Sequence, residues 1–393
     1  MTMKKKILFV YPEMMVGGST TSLLALLKSL DPARFEVDLI LYRKRGELLG
    51  DIPASIRLLP PAGRYPENSF AARLKKSLLL LATGYLPRAL FNEWKYHRRL
   101  GLNLQVMADG QAFLSRKLDR PYDVAIGFLE LWSHAYLVSG VQAARRIGWV
   151  HVDYEKAGYV PRLDQERFRR LDQIACVSGS CRETLGRAFP AFRDKMVVME
   201  NILSADWIRE RSRASGGVSF DGLKIITVCR LTIHTKGLDR IVRTAGKLKT
   251  EGFRFRWFIA GDGEDRAALE RLIAEHDLKD TVLLLGLQLN PYPILKSCDV
   301  FVLPSRNEGK PMAVTEAQIL GLPVIVTDYL SAREQVSHGM DGLIAGAPEE
   351  ASIHRALREI LEHPERLEIM KRNVQRKSFD HTQTIQSFYQ FIE

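Results

Sequence analysis

The 393-residue chain holds only four cysteines, Cys176, Cys181, Cys229 and Cys298, and no two form a C-x-x-C pair. That excludes a closely spaced thiolate metal site and a disulfide framework, and the four read as buried thiols of a reducing compartment. Long apolar runs are missing as well. The first, residues 7–10, follows three lysines but is closed by Pro12 and Glu13, too short for the core of a secretory signal, so it reads as a first strand. The most apolar later run, 77–86, is closed by Gly84, Pro87 and Arg88 well short of a bilayer span. There is no full G-x-G-x-x-G, no D-x-D pair suited to a metal and no recognised nucleic-acid-binding motif.

What is present is an ordinary globular composition, 46% hydrophobic and 26% charged, in a chain long enough for two domains with a core each. The net charge of +11 is unevenly placed: residues 1–200 hold 31 Lys+Arg against 20 Asp+Glu, whereas residues 201–393 hold 26 of each. The excess is concentrated further in 64–120, with 11 basic against 4 acidic residues interleaved with Phe70, Leu74, Leu78, Leu81, Tyr85, Phe91, Trp94 and Tyr96. Two readings of that segment stay open. A basic amphipathic helix with aromatic residues suits an anionic bilayer surface, and a helical pair packed on its own domain would look the same.

The most informative stretch is 300–327, V-F-V-L-P-S-R-N-E-G-K-P-M-A-V-T-E-A-Q-I-L-G-L-P-V-I-V-T. An unbroken apolar run, 300–303, predicts a strand covered on both faces, as in a parallel sheet. Residues 305–310 form a loop at its carboxyl end, Pro311 suits a first helical turn, Gly321 ends the helix, and 323–327 is the next strand. Backbone N–H groups of Gly309 and of residues 312–315 then suit an anion, most naturally a phosphate. Glu308 and Glu316 flank this site. Carboxylates would repel a phosphate unless they accept hydrogen bonds from another part of the ligand, such as a sugar diol. The plainer reading makes Glu308 a helix cap and Glu316 a solvated helix residue, and both readings stay open.

The rest of the chain alternates strand and helix. Strands are expected at 5–11, 35–41, 122–128, 146–151, 174–178 and 195–200, then at 223–228, 256–260 and 282–286, with helices at 22–30, 265–276 and 291–297 among them. The loop between the first strand and helix carries Gly17-Gly18, which could admit a phosphate to the backbone or be a simple turn. His151 ends a strand on a carboxyl edge, with Asp153 beside it to orient it; a structural and a substrate-contacting role are equally open. Residues 201–219, polar and containing Gly216-Gly217, read as a linker between two α/β domains facing a central cleft. Arg230 and Lys236 follow the 223–228 strand, the latter opening a helix. Two cations and a helix N-terminus at one sheet edge suit a diphosphate.

With these residues in view, the chain resembles glycosyltransferase family 4, the retaining enzymes of GT-B fold, most specifically in V-L-P-S-R-N-E-G-K-P-M-A-V-T-E-A-Q-I-L-G-L-P-V-I-V-T-D, which matches the E-x7-E motif. C-R-L-T-I-H-T-K-G, I-A-G-D-G, A-C-V-S, the W-V-H strand end and the early G-G loop support it. The resemblance implies two Rossmann-like doubly wound domains, an acceptor-binding one at 1–202 and a nucleotide-sugar-binding one at 203–377, with a last helix at about 378–393 packing back on the first. It implies Arg230 and Lys236 on the donor diphosphate, Gly17 and Gly18 near the phosphates, and Glu316 on the ribose. Glu308 would contact the transferred sugar, Gly309, Lys310, Pro311 and Met312 would line the donor, and His151 would lie near sugar and acceptor. The sequence departs from the family pattern at Cys229, where glycine is usual, at Lys310-Pro311, which replaces Phe-Gly, and in an Arg230-to-Lys236 spacing one residue longer than the commonest form.

The expected reaction is hexosyl transfer with retained anomeric configuration from a UDP-sugar to a hydroxyl of a glycan or lipid-linked acceptor in bacterial surface polysaccharide (capsule or lipopolysaccharide) synthesis. No side-chain nucleophile stands out, which favours front-face attack, and Arg230 with Lys236 would neutralise the diphosphate without a metal or other cofactor. A cytoplasmic protein, peripheral on the inner face of the membrane through 64–120, follows. The competing readings are a nucleotide-sugar epimerase of the same fold, which needs no acceptor, and a basic nucleic-acid-binding protein, which leaves Glu308 and Glu316 without a role.

Overall fold

The computed structural model describes residues 4–63, 81, 84 and 100–393 of the chain. It divides into two compact units, one of Met1–Ile202 with Thr384–Glu393 and one of Leu203–Gln383. Most of the segment 64–120 singled out for its basic and aromatic residues lies outside the described residues; of the remainder, Leu100–Leu114 is a helix. Among the described residues no helix is long and apolar enough to cross a membrane.

The first unit is built on a seven-stranded sheet of β1 (Lys5–Tyr11), β2 (Phe35–Leu41), β3 (Arg57–Leu58), β4 (Pro121–Gly127), β5 (Gln142–Val150), β6 (Gln173–Cys176) and β7 (Met196–Val198). Its order is β3-β2-β1-β4-β5-β6-β7, and every pairing is parallel. The unbroken apolar run of β1 has its reason here, for Ile7, Leu8, Phe9 and Val10 are all fully buried between helical layers. The helix Thr382–Ile392 belongs to this unit over its last residues. It is fastened by Phe388 against Trp149 and by Tyr389, whose hydroxyl donates to the Ser29 carbonyl at 2.7 Å.

The second unit has six parallel strands, β8 (Leu223–Val228), β9 (Phe255–Ala260), β10 (Val282–Gly286), β11 (Val300–Leu303), β12 (Val324–Thr327) and β13 (Gly342–Ala345), in the order β10-β9-β8-β11-β12-β13. The helix Leu238–Thr250 shows how they are covered. Leu238, Ile241, Val242, Ala245 and Leu248 fall on one face at helical spacing and are fully buried, while Lys247 and Lys249 occupy the last turn where the helix dipole favours cations.

In each sheet the strand order reverses direction once, between β1 and β4 in the first unit and between β8 and β11 in the second. At such a point the connections leave to opposite sides, opening a crevice beyond the carboxyl ends of the strands where ligands of doubly wound folds bind.

Three expectations need correction. The linker 201–219 is not irregular throughout: Ala205–Arg211 is a helix whose N-terminus is capped by Ser204, its Oγ accepting from the Trp207 N–H at 3.3 Å. Its high charge hid Ile208, which is fully buried. The first helix starts at Gly18 rather than at residue 22, because Gly17 serves as its N-cap. Lys236 closes a short turn, Ile233–Lys236, and the long helix begins only after Gly237, which takes a left-handed conformation.

Candidate active site

The crevice of the second unit lies between the loops that follow β8 and β11, and several ties sew these loops together. The Arg306 guanidinium donates to both oxygens of Asp239, each at 2.7 Å, and its backbone N–H donates to the Thr235 carbonyl at 2.9 Å. From the helix after Gly237, Arg240 Nη1 reaches the Pro304 carbonyl at 3.0 Å. Burial works against the charge of Asp239, yet the hydrogen bonds from Arg306 and Arg243 outweigh it and hold its carboxyl down at about 2. Gly237 has φ +66°, and a Cβ there would fall 2.0 Å from the Pro304 oxygen. The two loops therefore approach as backbone on backbone.

That approach brings Lys236 and Glu308 together across 72 residues: Lys236 Nζ donates to Glu308 Oε1 at 2.6 Å, and Ser305 Oγ donates to the same oxygen at 2.7 Å. Burial disfavours the ammonium, but the Glu308 charge and hydrogen bond prevail and raise its pKa. Arg230 is exposed at the same edge, close enough for its charge to act against that of Lys236, and no carboxylate pairs with it among the described residues.

Beyond the loop the helix Met312–Ile319 begins at Pro311 with no side chain capping it. Glu308 is thus not its cap. Gly309 is buried, Lys310 and Pro311 are half-buried, and Met312 is buried. Pro311 is fixed from behind by Gln335, whose Nε2 donates to the Pro311 carbonyl at 3.0 Å and to Thr315 Oγ1 at 3.1 Å. Nor is Glu316 a solvated helix residue: it is 7% exposed and accepts from the Tyr292 hydroxyl at 3.2 Å. Burial, only partly offset by that hydrogen bond, raises its carboxyl to about 7. Both plain readings of the two glutamates fail, since one is ion-paired at the crevice and the other is buried with a single phenolic partner.

The first unit has a crevice of its own. Gly17 and Gly18 are exposed at the carboxyl end of β1, where the helix Gly18–Ser29 starts without a side-chain cap, and a Cβ on Gly17 would meet nothing within 4 Å. The Tyr11 hydroxyl steadies this turn against Ser19 Oγ at 2.7 Å and Thr20 Oγ1 at 3.0 Å. His151 stands one residue past β5 and is half-buried. Its orienting partner is not Asp153, which instead accepts the backbone N–H groups of Glu155 and Lys156. Rather, His151 Nε2 lies 3.0 Å from the Phe128 carbonyl. A carbonyl can only accept, so Nε2 carries the proton and Nδ1 remains an acceptor. Burial lowers the ring to about 4 despite that bond, and the imidazole is neutral at physiological pH.

The sequence reading missed Glu130, Tyr292, Asp239, Arg306 and Gln335. For Glu130 a signal existed: a carboxylate inside F-L-E-L-W, just past the strand at the switch point, has to find buried donors. Among the described residues, no three His, Cys, Asp or Glu side chains converge as a metal cluster.

Comparison with known proteins agrees with this architecture. Residues 208–377 match the model of glycosyl transferases group 1. The chain is 24% identical to the putative glycosyltransferase EpsF of Bacillus subtilis, over 86% of this chain and 83% of EpsF. It is 30% identical to the putative colanic acid biosynthesis glycosyltransferase WcaL of Salmonella typhimurium, over 47% of this chain and 46% of that protein. Among solved structures, HepE of Anabaena in complex with UDP-glucose aligns with a TM-score of 0.68 at 15% identity, covering 98% of this chain and 99% of that one. TarM aligns at 0.69 with 12% identity, covering 100% and 99%. The chain is a glycosyltransferase of GT-B fold, and residues 208–377 of its second unit are similar to the glycosyl transferases group 1.

Proposed function

We propose that the protein transfers a hexose from a UDP-sugar to a hydroxyl of a glycan or lipid-linked acceptor in the synthesis of a bacterial surface polysaccharide, with retention of anomeric configuration, as in glycosyltransferase family 4. The observation that carries this reading is the group at the β8–β11 crevice: Arg230, the Lys236–Glu308 pair and the uncapped N-terminus at Met312 around one point, with Glu316 buried behind it. Cleavage of the anomeric C–O bond puts negative charge on the leaving phosphate, and fixed cations with helix N–H groups stabilise it. Arg230 and Lys236 take the diphosphate, so that no metal is needed. Glu308 accepts from hydroxyls of the transferred sugar, and Glu316 from the ribose diol. Gly309, Lys310, Pro311 and Met312 line the donor, Gly17 and Gly18 stand near its phosphates, and His151 meets sugar or acceptor. The acceptor hydroxyl attacks the face that the phosphate leaves, and the departing oxygen takes its proton. The name of WcaL, a putative colanic acid biosynthesis glycosyltransferase, supports a polysaccharide-synthesis role, and the UDP-glucose held by HepE supports the donor class. The group 1 match favours transfer over the epimerase and nucleic-acid readings. Action at the inner membrane face, through the basic 64–120 segment, belongs to the same proposal.

Thermal-shift titration with UDP, GDP, ADP and CMP, on wild type and Glu316→Ala, tests the donor assignment. Stabilisation of the wild type by UDP, much reduced in the variant, is expected. No stabilisation by any of the four nucleotides would overturn it.

A further inference from the structure

The backbone just past β4 is unusual. Leu131 sits at φ 61°, ψ −113°, a region that residues with a Cβ rarely enter, and it immediately precedes the helix Trp132–Gly140. Such a conformation is disfavoured for a residue with a Cβ and persists only where surrounding contacts over-determine it. Glu130, the residue before it, is 8% exposed. Its Oε1 accepts two backbone N–H groups at once, that of His151 and, at 3.0 Å, that of Val152. Two residues earlier, the Phe128 carbonyl accepts from the His151 ring. His151 is therefore gripped twice by one short connection, its backbone by Glu130 and its ring by Phe128.

We infer that Glu130 is a positioning residue for His151, and that the 128–131 connection presents His151 Nδ1, not Nε2, to the ligand. Were the carboxylate absent, two part-buried N–H groups would lose their acceptor, and the chain leaving β5 would be free to turn away. The ring would then lose its seat on the Phe128 carbonyl, and with it the single tautomer. A neutral imidazole held with Nε2–H inward can only accept at Nδ1, so its complement on the ligand is a hydroxyl donor, as on a sugar. The inference rests on the proposed role of His151 for its functional meaning, though the grip itself does not depend on that role.

The test is imidazole 15N NMR on the full-length protein labelled at histidine, with His151 assigned by its loss in His151→Ala. Wild type should show a single Nε2–H tautomer that resists protonation. Glu130→Gln, whose amide oxygen still accepts both N–H groups, should keep it. Glu130→Ala should show mixed tautomers and a titration moved toward the ordinary value of about 6.5. Glu130→Asp, too short to reach both donors, should behave like the alanine variant and serves if that variant does not fold. A retained single Nε2–H tautomer in Glu130→Ala or Glu130→Asp would overturn the inference. A second readout separates this from the role of His151: UDP release from UDP-glucose, UDP-galactose and UDP-N-acetylglucosamine. Here Glu130→Ala should lower kcat roughly 10- to 100-fold with little change in donor KM, since misplacement of about 1 Å carries that penalty. His151→Ala should be no better than the double variant. If His151→Ala released UDP at the wild-type rate, the role of His151 would fall while the NMR result stood.

Discussion

Gly237 offers the sharpest test of how the candidate site is built. It holds φ +66°, and a Cβ added there would stand 2.0 Å from the Pro304 oxygen and 2.9 Å from the Pro304 carbonyl carbon. Gly237→Ala thus carries two penalties. The left-handed conformation alone is disfavoured by about 1–2 kcal/mol for a residue with a Cβ. The contact requires a backbone shift of about 1 Å, and overpacking of that kind adds roughly 1–3 kcal/mol. Loss of unfolded-state freedom returns roughly 0.4–1 kcal/mol, leaving a net destabilisation of roughly 2–4 kcal/mol.

Gly252 supplies the control, because it has φ +81° and nothing within 4 Å of its would-be Cβ. Gly252→Ala carries the conformational penalty without the clash. At roughly 2–4 °C per kcal/mol for a unit of this size, Gly237→Ala should melt about 3–10 °C below Gly252→Ala. The shift should also part Lys236 from Glu308, since the Pro304 carbonyl leads directly into the loop that carries Glu308. The assay is differential scanning calorimetry of both variants with and without UDP. Equal melting of the two, within about 1 °C, would refute the backbone approach and the geometry of the ion pair built on it.

Two further outcomes follow from the same site. Burial raises the Glu316 carboxyl from 4.5 to about 7, so the folded state binds its proton more tightly than the unfolded chain does. Its contribution to stability is full below the unfolded value and is lost as pH rises through about 7, for a total of roughly 3 kcal/mol at about 1.4 kcal/mol per pH unit. Glu316→Gln should match wild type near pH 4.5 and exceed it above pH 7 in urea unfolding, and a difference independent of pH would count against a buried, destabilised carboxylate. Lys236→Ala should weaken UDP binding about 10- to 100-fold by calorimetric titration, the worth of a charge-assisted hydrogen bond, and undiminished affinity would remove Lys236 from the phosphate site.

The fold class was legible because buried parallel strands write themselves as short unbroken apolar runs. Residues 5–11, 35–41, 223–228, 282–286 and 300–303 are strands with the expected limits. Boundaries slipped where a local feature overrode the pattern. Gly17 let a helix begin four residues early, and Gly237 split one helix into two. In 201–219 the charge concealed a helix whose buried residue is Ile208 and whose Trp207 packs on Tyr292. Residue types that announce phosphate and sugar chemistry could be found from the chain, but their partners could not. Tyr292 lies 24 residues from Glu316 and Glu130 lies 21 from His151, and no local spacing encodes either contact.

The pairing of Lys236 with Glu308 also changes the electrostatics that residue types alone imply. Counted as two cations and a helix terminus, the crevice looks built simply to attract a diphosphate. With Glu308 at 2.6 Å from Lys236, that pair is neutral as a whole, and the unpaired attraction comes from Arg230 and the partial positive charge of the Met312 helix start. A free phosphate approaching Lys236 meets the Glu308 carboxylate at the same place and is repelled by it. A nucleoside diphosphate sugar differs, since it brings hydroxyl donors that Glu308 can accept. Glu308 then weighs against the product diphosphate more than against the donor, and it does so through a contact that the topology makes at the β8–β11 crevice rather than through any motif on one strand.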